Sequence, residues 1–192
     1  LCAVLLFCAG PAAAGQLRVW SLSKTASRSP VQRTGWKRID ADEAMRGSVA
    51  IESEKLALVI AEGAAGPVLY TKEQPPTRIE LAALVGDKVA GTVSAVSVAE
   101  PDAAETTVRF ACGNTTAELK VTALGPFVEL KPGKGATHVE VRVKARYVML
   151  PDFFGDDVIY DPLRLKGAAL TVPAENFLLS LPAGGRTIVA SV

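Results

Sequence analysis

The sequence predicts an all-β protein built as an antiparallel two-sheet β-sandwich. Short runs of alternating apolar and polar residues recur about every 8–12 residues, and Gly, Pro, Asn or Ser separate them, which is typical of such sandwiches. Long amphipathic helices, strand–helix alternation and internal repeats of fixed period do not occur in the sequence. Parallel α/β folds and solenoids are therefore disfavoured.

The composition is that of an ordinary globular protein. The chain has 192 residues, of which 49% are hydrophobic and 21% charged, and its formal net charge is +1. A chain of this length buries a core without disulfide or metal support. The balanced charge provides no basic surface for nucleic acid and no polybasic patch for a membrane, so neither partner is expected.

Residues 1–14 have the pattern of a partial export signal. An uninterrupted apolar run, Leu1–Phe7, precedes the small residues Ala12–Ala14, a pattern that signal peptidase cleaves, here before Gly15. The run is shorter than the about 20 residues of a transmembrane helix, so no membrane span is expected. The segment predicts an exported protein that is periplasmic, part of the cell envelope or secreted. Two alternatives stay open: a buried N-terminal strand or helix of a cytosolic protein, and a lipoprotein modified at Cys8.

Two further parts follow along the chain. Residues 15–46 are rich in Lys, Arg, Ser and Thr and show no sustained apolar period, which predicts an irregular lead-in tethered by Trp20 and Trp36. Residues 47–192 contain the strand-like runs and are predicted to form the β-sandwich domain. The last run, Arg186–Val192, ends without a turn, so we expect the domain to continue beyond it, with a downstream domain of the same chain as a partner.

Three of the predicted strands alternate clearly enough to assign faces. There are twelve predicted strands. In order they are Ser48–Glu52, Lys55–Ala61, Val68–Thr71, Arg78–Val85, Val89–Val98, Thr106–Ala111, Thr116–Ala123, Phe127–Leu130, His138–Tyr147, Leu170–Val172, Phe177–Leu181 and Arg186–Val192. In the segment His138–Lys144 every valine is predicted to face the core and every polar side chain to face solvent or a groove. The same alternation places Ser94 on the face of Val96 and Val98.

The first hairpin of this series carries a family resemblance. The segment Val49–Tyr70 contains an E-x-x-x-L-x-L pattern from Glu52 to Leu58, followed by a Gly-rich break, and it resembles the opening hairpin of galactose-mutarotase-like β-sandwich domains. The resemblance implies a supersandwich-like fold, of the kind found in sugar epimerases and at the front of bacterial carbohydrate-active enzymes. Mutarotation in that family uses paired histidines with a carboxylate, whereas this chain has one histidine, His138. The resemblance therefore implies the non-catalytic front-domain role.

Outside the predicted signal the chain has one cysteine and one histidine, which offer little catalytic chemistry. Two of the three cysteines belong to the predicted signal, so Cys112 has no internal disulfide partner. Its alternation with Val108 and Phe110 predicts a small buried side chain on a strand, since a nucleophilic thiol needs a nearby histidine and positive charge. His138 is predicted to be a surface imidazole, because zinc sites need three or four ligands. No catalytic or metal-binding residue is therefore assigned.

One loop concentrates acidic and aromatic side chains and is the predicted ligand-binding site. Its candidate residues are Asp152, Phe153, Phe154, Asp156, Asp157, Tyr160 and Asp161. Aromatic rings stack on sugar C–H surfaces and carboxylates accept hydrogen bonds from hydroxyl groups, which favours a carbohydrate ligand. Three alternatives stay open: Ca²⁺ bound by the carboxylates, a glycosidase carboxylate pair, and a structural loop in which Asp forms turns and Phe packs on the core.

Together these features predict the function of the chain. It is expected to be an exported β-sandwich module of a larger envelope or secreted protein, binding carbohydrate or positioning a substrate, without a cofactor and non-catalytic on its own. One alternative is part of a carbohydrate-active enzyme, a glycoside hydrolase or lyase, with catalytic residues partly outside this chain. A second alternative is a purely structural envelope module.

Overall fold

The chain forms β-strands throughout the part that the structure describes. The computed structural model describes residues 2–7, 16–39, 45–73, 76–86, 88–99, 104–123, 127–150, 158–164, 178–182 and 188–191. Within these ranges it contains eighteen strands and no helix, which confirms the all-β fold class. A helix long and apolar enough to cross a membrane is accordingly not found among the described residues.

All strand pairings within these ranges are antiparallel and form two sheets. The strands, in chain order, are β1 (Cys2–Phe7), β2 (Arg18–Leu22), β3 (Trp36–Arg38), β4 (Met45–Arg46), β5 (Val49–Glu52), β6 (Leu56–Ile60), β7 (Val68–Thr71), β8 (Arg78–Val85), β9 (Lys88–Val89), β10 (Val93–Ala99), β11 (Glu105–Cys112), β12 (Thr115–Thr122), β13 (Phe127–Pro132), β14 (His138–Val143), β15 (Ala145–Leu150), β16 (Val158–Tyr160), β17 (Leu178–Pro182) and β18 (Ile188–Ser191). In its described part, the larger sheet has ten strands in the order β16-β15-β17-β18-β1-β13-β12-β11-β10-β4. The smaller sheet has the order β14-β8-β7-β6-β5-β2-β3, and β9 also pairs with β8.

The two sheets enclose a shared hydrophobic core, as expected of a sandwich. Successive side chains of a strand point to opposite faces, so alternate residues of the central strands reach the core. The buried core residues are Leu17, Val19, Val49, Ile51, Leu56, Leu58, Ile60, Leu69, Ile79 and Leu81 from the smaller-sheet side, and Val93, Val96, Val98, Val108, Phe110, Cys112, Ala117, Leu119, Val121, Ala123, Val128 and Leu130 from the larger. The predicted hairpin of β5 and β6 is confirmed, with Val49 opposite Ile60 and Glu52 opposite Ala57.

The segment predicted as an irregular lead-in contributes strands to both sheets. β2 and β3 extend the smaller sheet beyond β5, and β4 pairs with β10 of the larger one. Trp20 and Trp36 pack on the outer face of the smaller sheet, where their ring centroids lie 6.1 Å apart, so the expected tether is confirmed. Strands of two to five residues carry too few alternations to show a period, and burial of the Trp side chains stabilises them instead.

The run predicted as one strand over 138–147 is divided at Lys144. β14 pairs with β8 in the smaller sheet, whereas β15 pairs with β16 and β17 in the larger sheet. Chains in β-sandwiches can pass from one sheet to the other at a bend, and sequence alternation does not record such a change. The face prediction for β14 is confirmed, because its three valines pack against the core.

A β-bulge in β10 overturns one face prediction. The register with β11 shifts between Val93 and Ala95, so Val93 and Val96 both face the core. Ser94 is exposed, and its hydroxyl donates a hydrogen bond to the Ala111 carbonyl at 3.3 Å. The prediction that Ser94 shares a face with Val96 is therefore wrong, because the additional residue of a bulge interrupts period-two alternation.

The apolar N-terminal run forms β1, between β13 and β18 of the larger sheet. Val4 lies opposite Val128 on one side and Ser191 on the other. An N-terminal strand is one of the alternatives that the sequence allows for this run, and the export signal stays a prediction. A short apolar run suits either role, because a signal core and a central strand are both rich in apolar side chains.

Candidate functional site

The predicted acidic and aromatic site lies mostly outside the described residues. Five of its residues lie outside the described residues: Asp152, Phe153, Phe154, Asp156 and Asp157. Tyr160 ends β16, which lies at one edge of the described part of the larger sheet, and Asp161 follows it. Carbohydrate binding by the loop as a whole therefore stays a prediction.

The carboxylate of Asp161 is used to form a turn. Its Oδ1 accepts a hydrogen bond from the Leu163 backbone N–H at 3.0 Å, and its Oδ2 lies 3.7 Å from Arg164 Nε. Tyr160 is half-buried and lies opposite Val148 of β15. For Asp161 the geometry corresponds to the structural alternative, in which Asp side chains stabilise turns.

Metal-ligating groups do not converge in the described part of the chain. Within it, no three side chains of His, Cys, Asp or Glu come together as a set that could hold a metal ion. Ca²⁺ at the acidic loop stays a prediction, since three of its four carboxylates lie outside the described residues. His138 is exposed, and its Nδ1 lies 2.8 Å from Thr137 Oγ1, which confirms a surface imidazole.

A groove of about 790 Å³ crosses β10, β11, β12 and β13 on the face of the larger sheet that points away from the core. We call it the outer groove. Its floor contains small side chains that lie opposite one another on neighbouring strands, Ala95 with Ala111 and Ala111 with Thr116. Because side chains stand perpendicular to a sheet, a row of small ones leaves a channel above the backbone.

A row of polar side chains borders this floor. Ser97 lies opposite Arg109, Arg109 opposite Glu118, and Glu118 opposite Lys131. Arg109 Nε donates a hydrogen bond to Glu118 Oε1 at 2.6 Å. The row therefore presents hydroxyl, guanidinium, carboxylate and ammonium groups on one line, with donors and acceptors side by side.

The loop between β13 and β14 closes one end of the outer groove. The Gly133 N–H donates to the Thr116 carbonyl at 2.8 Å, and the Lys134 N–H donates to Thr116 Oγ1 at 3.1 Å. A Cβ on Gly133 would lie 2.5 Å from Thr116 Oγ1, so glycine permits the close approach of the two segments. These contacts hold the end of the groove in one position against β12.

A buried carboxylate on the smaller sheet is occupied in a structural network. Glu52 is 1% exposed, and its Oε2 accepts a hydrogen bond from Trp20 Nε1 at 3.3 Å. Its Oε1 lies 2.8 Å from Arg33 Nη2. This contact is an ion pair whose geometry is not that of a hydrogen bond. Burial lowers the pKa of Lys72, and the nearby charge of Glu52 opposes this effect. Lys72 Nζ donates to the Ser53 carbonyl at 2.6 Å. The network attaches the segment around Arg33 to the smaller sheet.

Cys112 is a core residue. Cys112 is 2% exposed at the end of β11, and burial raises the pKa of its thiol, so the predicted small buried side chain is confirmed. In a variant carrying Cys2→Ser and Cys8→Ser, we expect Cys112 to react with an aromatic disulfide reagent at least about 100-fold more slowly in the native state than in guanidinium chloride, because reaction requires opening of the core. Comparable rates in the two states, followed by absorbance at pH 8, would show that the thiol is accessible.

Comparison with family models, curated proteins and solved structures finds no match for this chain. The resemblance of Val49–Tyr70 to galactose-mutarotase-like domains therefore stays a prediction.

The outer groove is not apparent from the sequence pattern, although one signal for it is present. Gly113 has a φ of +58° in the two-residue turn that joins β11 to β12. A two-residue turn sets the register of a hairpin, which places position 109 opposite 118 and 111 opposite 116. That register aligns the small side chains of Ala111 and Thr116 and pairs Arg109 with Glu118. Lys131 joins the polar row only because β13 pairs with β12.

Proposed function

We propose that this protein is a non-catalytic β-sandwich module that binds a carbohydrate chain in the outer groove. The observation that carries the proposal is the pairing of a small-residue floor with a continuous row of polar side chains in one groove of about 790 Å³. Ligand cavities in proteins typically have volumes of about 300–1,000 Å³.

The chemistry of the groove matches that of a sugar. Sugar hydroxyl groups donate and accept hydrogen bonds, and the row provides acceptors at Glu118 and Ser97 and donors at Arg109 and Lys131. Sugar C–H surfaces need apolar contact, which Ala95 and Ala111 provide without blocking the channel. An extended carbohydrate chain lying across β10, β11, β12 and β13 would place each sugar unit beside both the small-residue floor and the polar row.

The proposal retains the setting that the sequence predicts. The module would belong to an exported protein and would hold a glycan for a downstream domain of the same chain. The apolar run at the N-terminus and the resemblance of the first hairpin support this setting. Mass analysis of the protein recovered from the periplasm or medium of an expressing cell tests it. Cleavage before Gly15, which would remove β1, is the expected result, whereas an intact N-terminus would leave the apolar run as β1 of the larger sheet and contradict this setting.

We expect the full 192-residue chain to be retained on a glycan array and Arg109→Ala to lower that signal at least about tenfold. Losing a hydrogen bond from a charged group typically weakens binding by this factor or more. Arg109 is an exposed side chain in a surface ion pair, so its removal is expected to leave the fold intact.

Lys120→Ala provides the matched control. Lys120 lies on the same strand as Glu118 and is ion-paired with Glu105 at 2.8 Å, but it does not line the outer groove. Equal binding by Arg109→Ala and Lys120→Ala, or no glycan bound by the unmodified chain, would contradict the proposal. If Phe154→Ala abolishes binding and Arg109→Ala does not, the site is the acidic and aromatic loop and the groove assignment is wrong.

A further inference from the structure

A second cavity, on the opposite side of the sandwich, is lined by arginines. It has a volume of about 290 Å³ and lies against the outer face of the smaller sheet. Arg78 of β8 and Arg142 of β14 line it, together with Arg28 from the segment that covers this face. Among its lining residues these three guanidinium groups accompany a single carboxylate, that of Glu80. We call this cavity the arginine cavity.

The strand register brings the arginines together from distant parts of the chain. Glu80 lies directly opposite Arg142 in the pairing of β8 with β14, and Tyr70 lies opposite Arg78 in the pairing of β7 with β8. Arg78 Nη1 donates to Glu80 Oε1, and Arg142 Nη2 donates to Glu140 Oε2 at 2.6 Å. Each of these two guanidinium groups has five N–H donors, so both retain unused donors after these bonds.

Arg28 adds a positive charge that the described residues do not neutralise. It is exposed and forms no ion pair with any described side chain. The three guanidinium groups at the arginine cavity therefore carry more positive charge than the carboxylates of Glu80 and Glu140 compensate. Tyr70 contributes an aromatic ring and a hydroxyl group to the same cavity.

The turn that closes the arginine cavity is built from small residues. Gly63, Ala64, Ala65 and Gly66 line one side, and Gly66 approaches the backbone of Leu81 so closely that a side chain there would overlap its carbonyl oxygen. The cavity therefore has a fixed backbone wall on one side and guanidinium groups on the other. A volume of about 290 Å³ is at the lower end of ligand cavities and suits one small molecule or one sugar ring.

From these observations we infer that the arginine cavity binds a small ligand through its carboxylate group, with Arg142 and Arg78 as the principal donors and Arg28 as the third. Guanidinium groups bind carboxylates through paired N–H donors in one plane, a geometry that neutral sugars do not match. The inference does not depend on glycan binding in the outer groove, because the two cavities lie on different sheets.

Isothermal titration calorimetry with the full chain at low ionic strength tests the inference, using D-glucuronate and D-glucose as probes. The two differ at one ring substituent, a carboxylate in place of a hydroxymethyl group. We expect D-glucuronate to bind at least about tenfold more tightly than D-glucose, and Arg142→Gln to reduce its affinity at least about tenfold. Low ionic strength is needed because salt screens exposed charges.

Lys144→Gln is the matched control, since Lys144 is an exposed cation two positions from Arg142 that does not line the arginine cavity. It is expected to bind D-glucuronate like the unmodified chain. Thermal melting of both variants checks that each is folded. Equal affinity for D-glucuronate and D-glucose, or an equal loss in Arg142→Gln and Lys144→Gln, would overturn the inference. Inorganic sulfate that binds as tightly as D-glucuronate would overturn the assignment to carboxylates.

Discussion

Phe110→Ala is expected to lower the free energy of unfolding by about 4 kcal/mol, since truncating a buried Phe typically costs about 3–5 kcal/mol. Phe110 is 3% exposed in β11, between Val96 and Ala117 on the neighbouring strands, and belongs to the core that the two sheets share. Removing the ring deletes apolar contacts and leaves a cavity that rigid strands cannot fill. Urea denaturation followed by circular dichroism measures the change.

Leu163→Ala is the control for this substitution. Leu163 is 76% exposed, so its truncation removes little buried surface and should change the free energy of unfolding by no more than about 0.5 kcal/mol. If Phe110→Ala costs as little as Leu163→Ala, the two sheets do not pack as described. Since domains are typically stable by about 5–15 kcal/mol, a loss of about 4 kcal/mol is readily measured.

Gly66→Ala is expected to destabilise the protein by about 3 kcal/mol, as strongly overpacked substitutions do. The added Cβ would overlap the carbonyl oxygen of Leu81, which belongs to the backbone and cannot rotate away. The neighbouring Pro67 carbonyl accepts a hydrogen bond from the Leu81 N–H at 2.9 Å, so the two segments cannot separate without losing it. Thermal melting should show a decrease of about 6–12 °C in Tm for a chain of this size.

Gly63→Ala distinguishes lack of space from backbone strain in the same turn. Gly63 has a φ of +78°, but a Cβ there would meet nothing within 4 Å. Its substitution is therefore expected to cost only the strain of a left-handed backbone, about 1–2 kcal/mol. A cost for Gly66→Ala no larger than that for Gly63→Ala would contradict the close contact with Leu81.

Local alternation predicted which side chains face the core in the few strands where the pattern is clear. In β11 and β14 the apolar positions recur every second residue, and the structure buries them or packs them against the core. The exceptions share a cause, since the bulge at Val93–Ala95 and the change of sheet at Lys144 alter the path of the backbone without altering the pattern. A pattern of period two reports the face of a side chain relative to its neighbours along the strand, and it contains no information about the partner strand.

In the candidate sites, too, some residue pairings follow from local sequence and others only from the fold. The register of the β11–β12 hairpin follows from its two-residue turn, so the pairing of Arg109 with Glu118 was accessible from the sequence. Arg78 and Arg142 are 64 positions apart, and only the pairing of β8 with β14 places them beside one cavity. The acidic and aromatic loop is prominent because its residues are consecutive, whereas both cavities are assembled from residues that are dispersed along the chain.

The sequence by itself determined that this protein is all-β, which positions face inward in strands of clear alternation such as β11 and β14, that Cys112 is a buried thiol and that His138 is a surface imidazole. These properties depend on side-chain alternation and composition, which are local. The tertiary structure alone decided that β1 lies between β13 and β18, that β14 and β15 belong to different sheets, and that two cavities open on the outer faces. Strand neighbours are chosen by the burial of whole faces against each other, a property of the folded chain and not of any one segment.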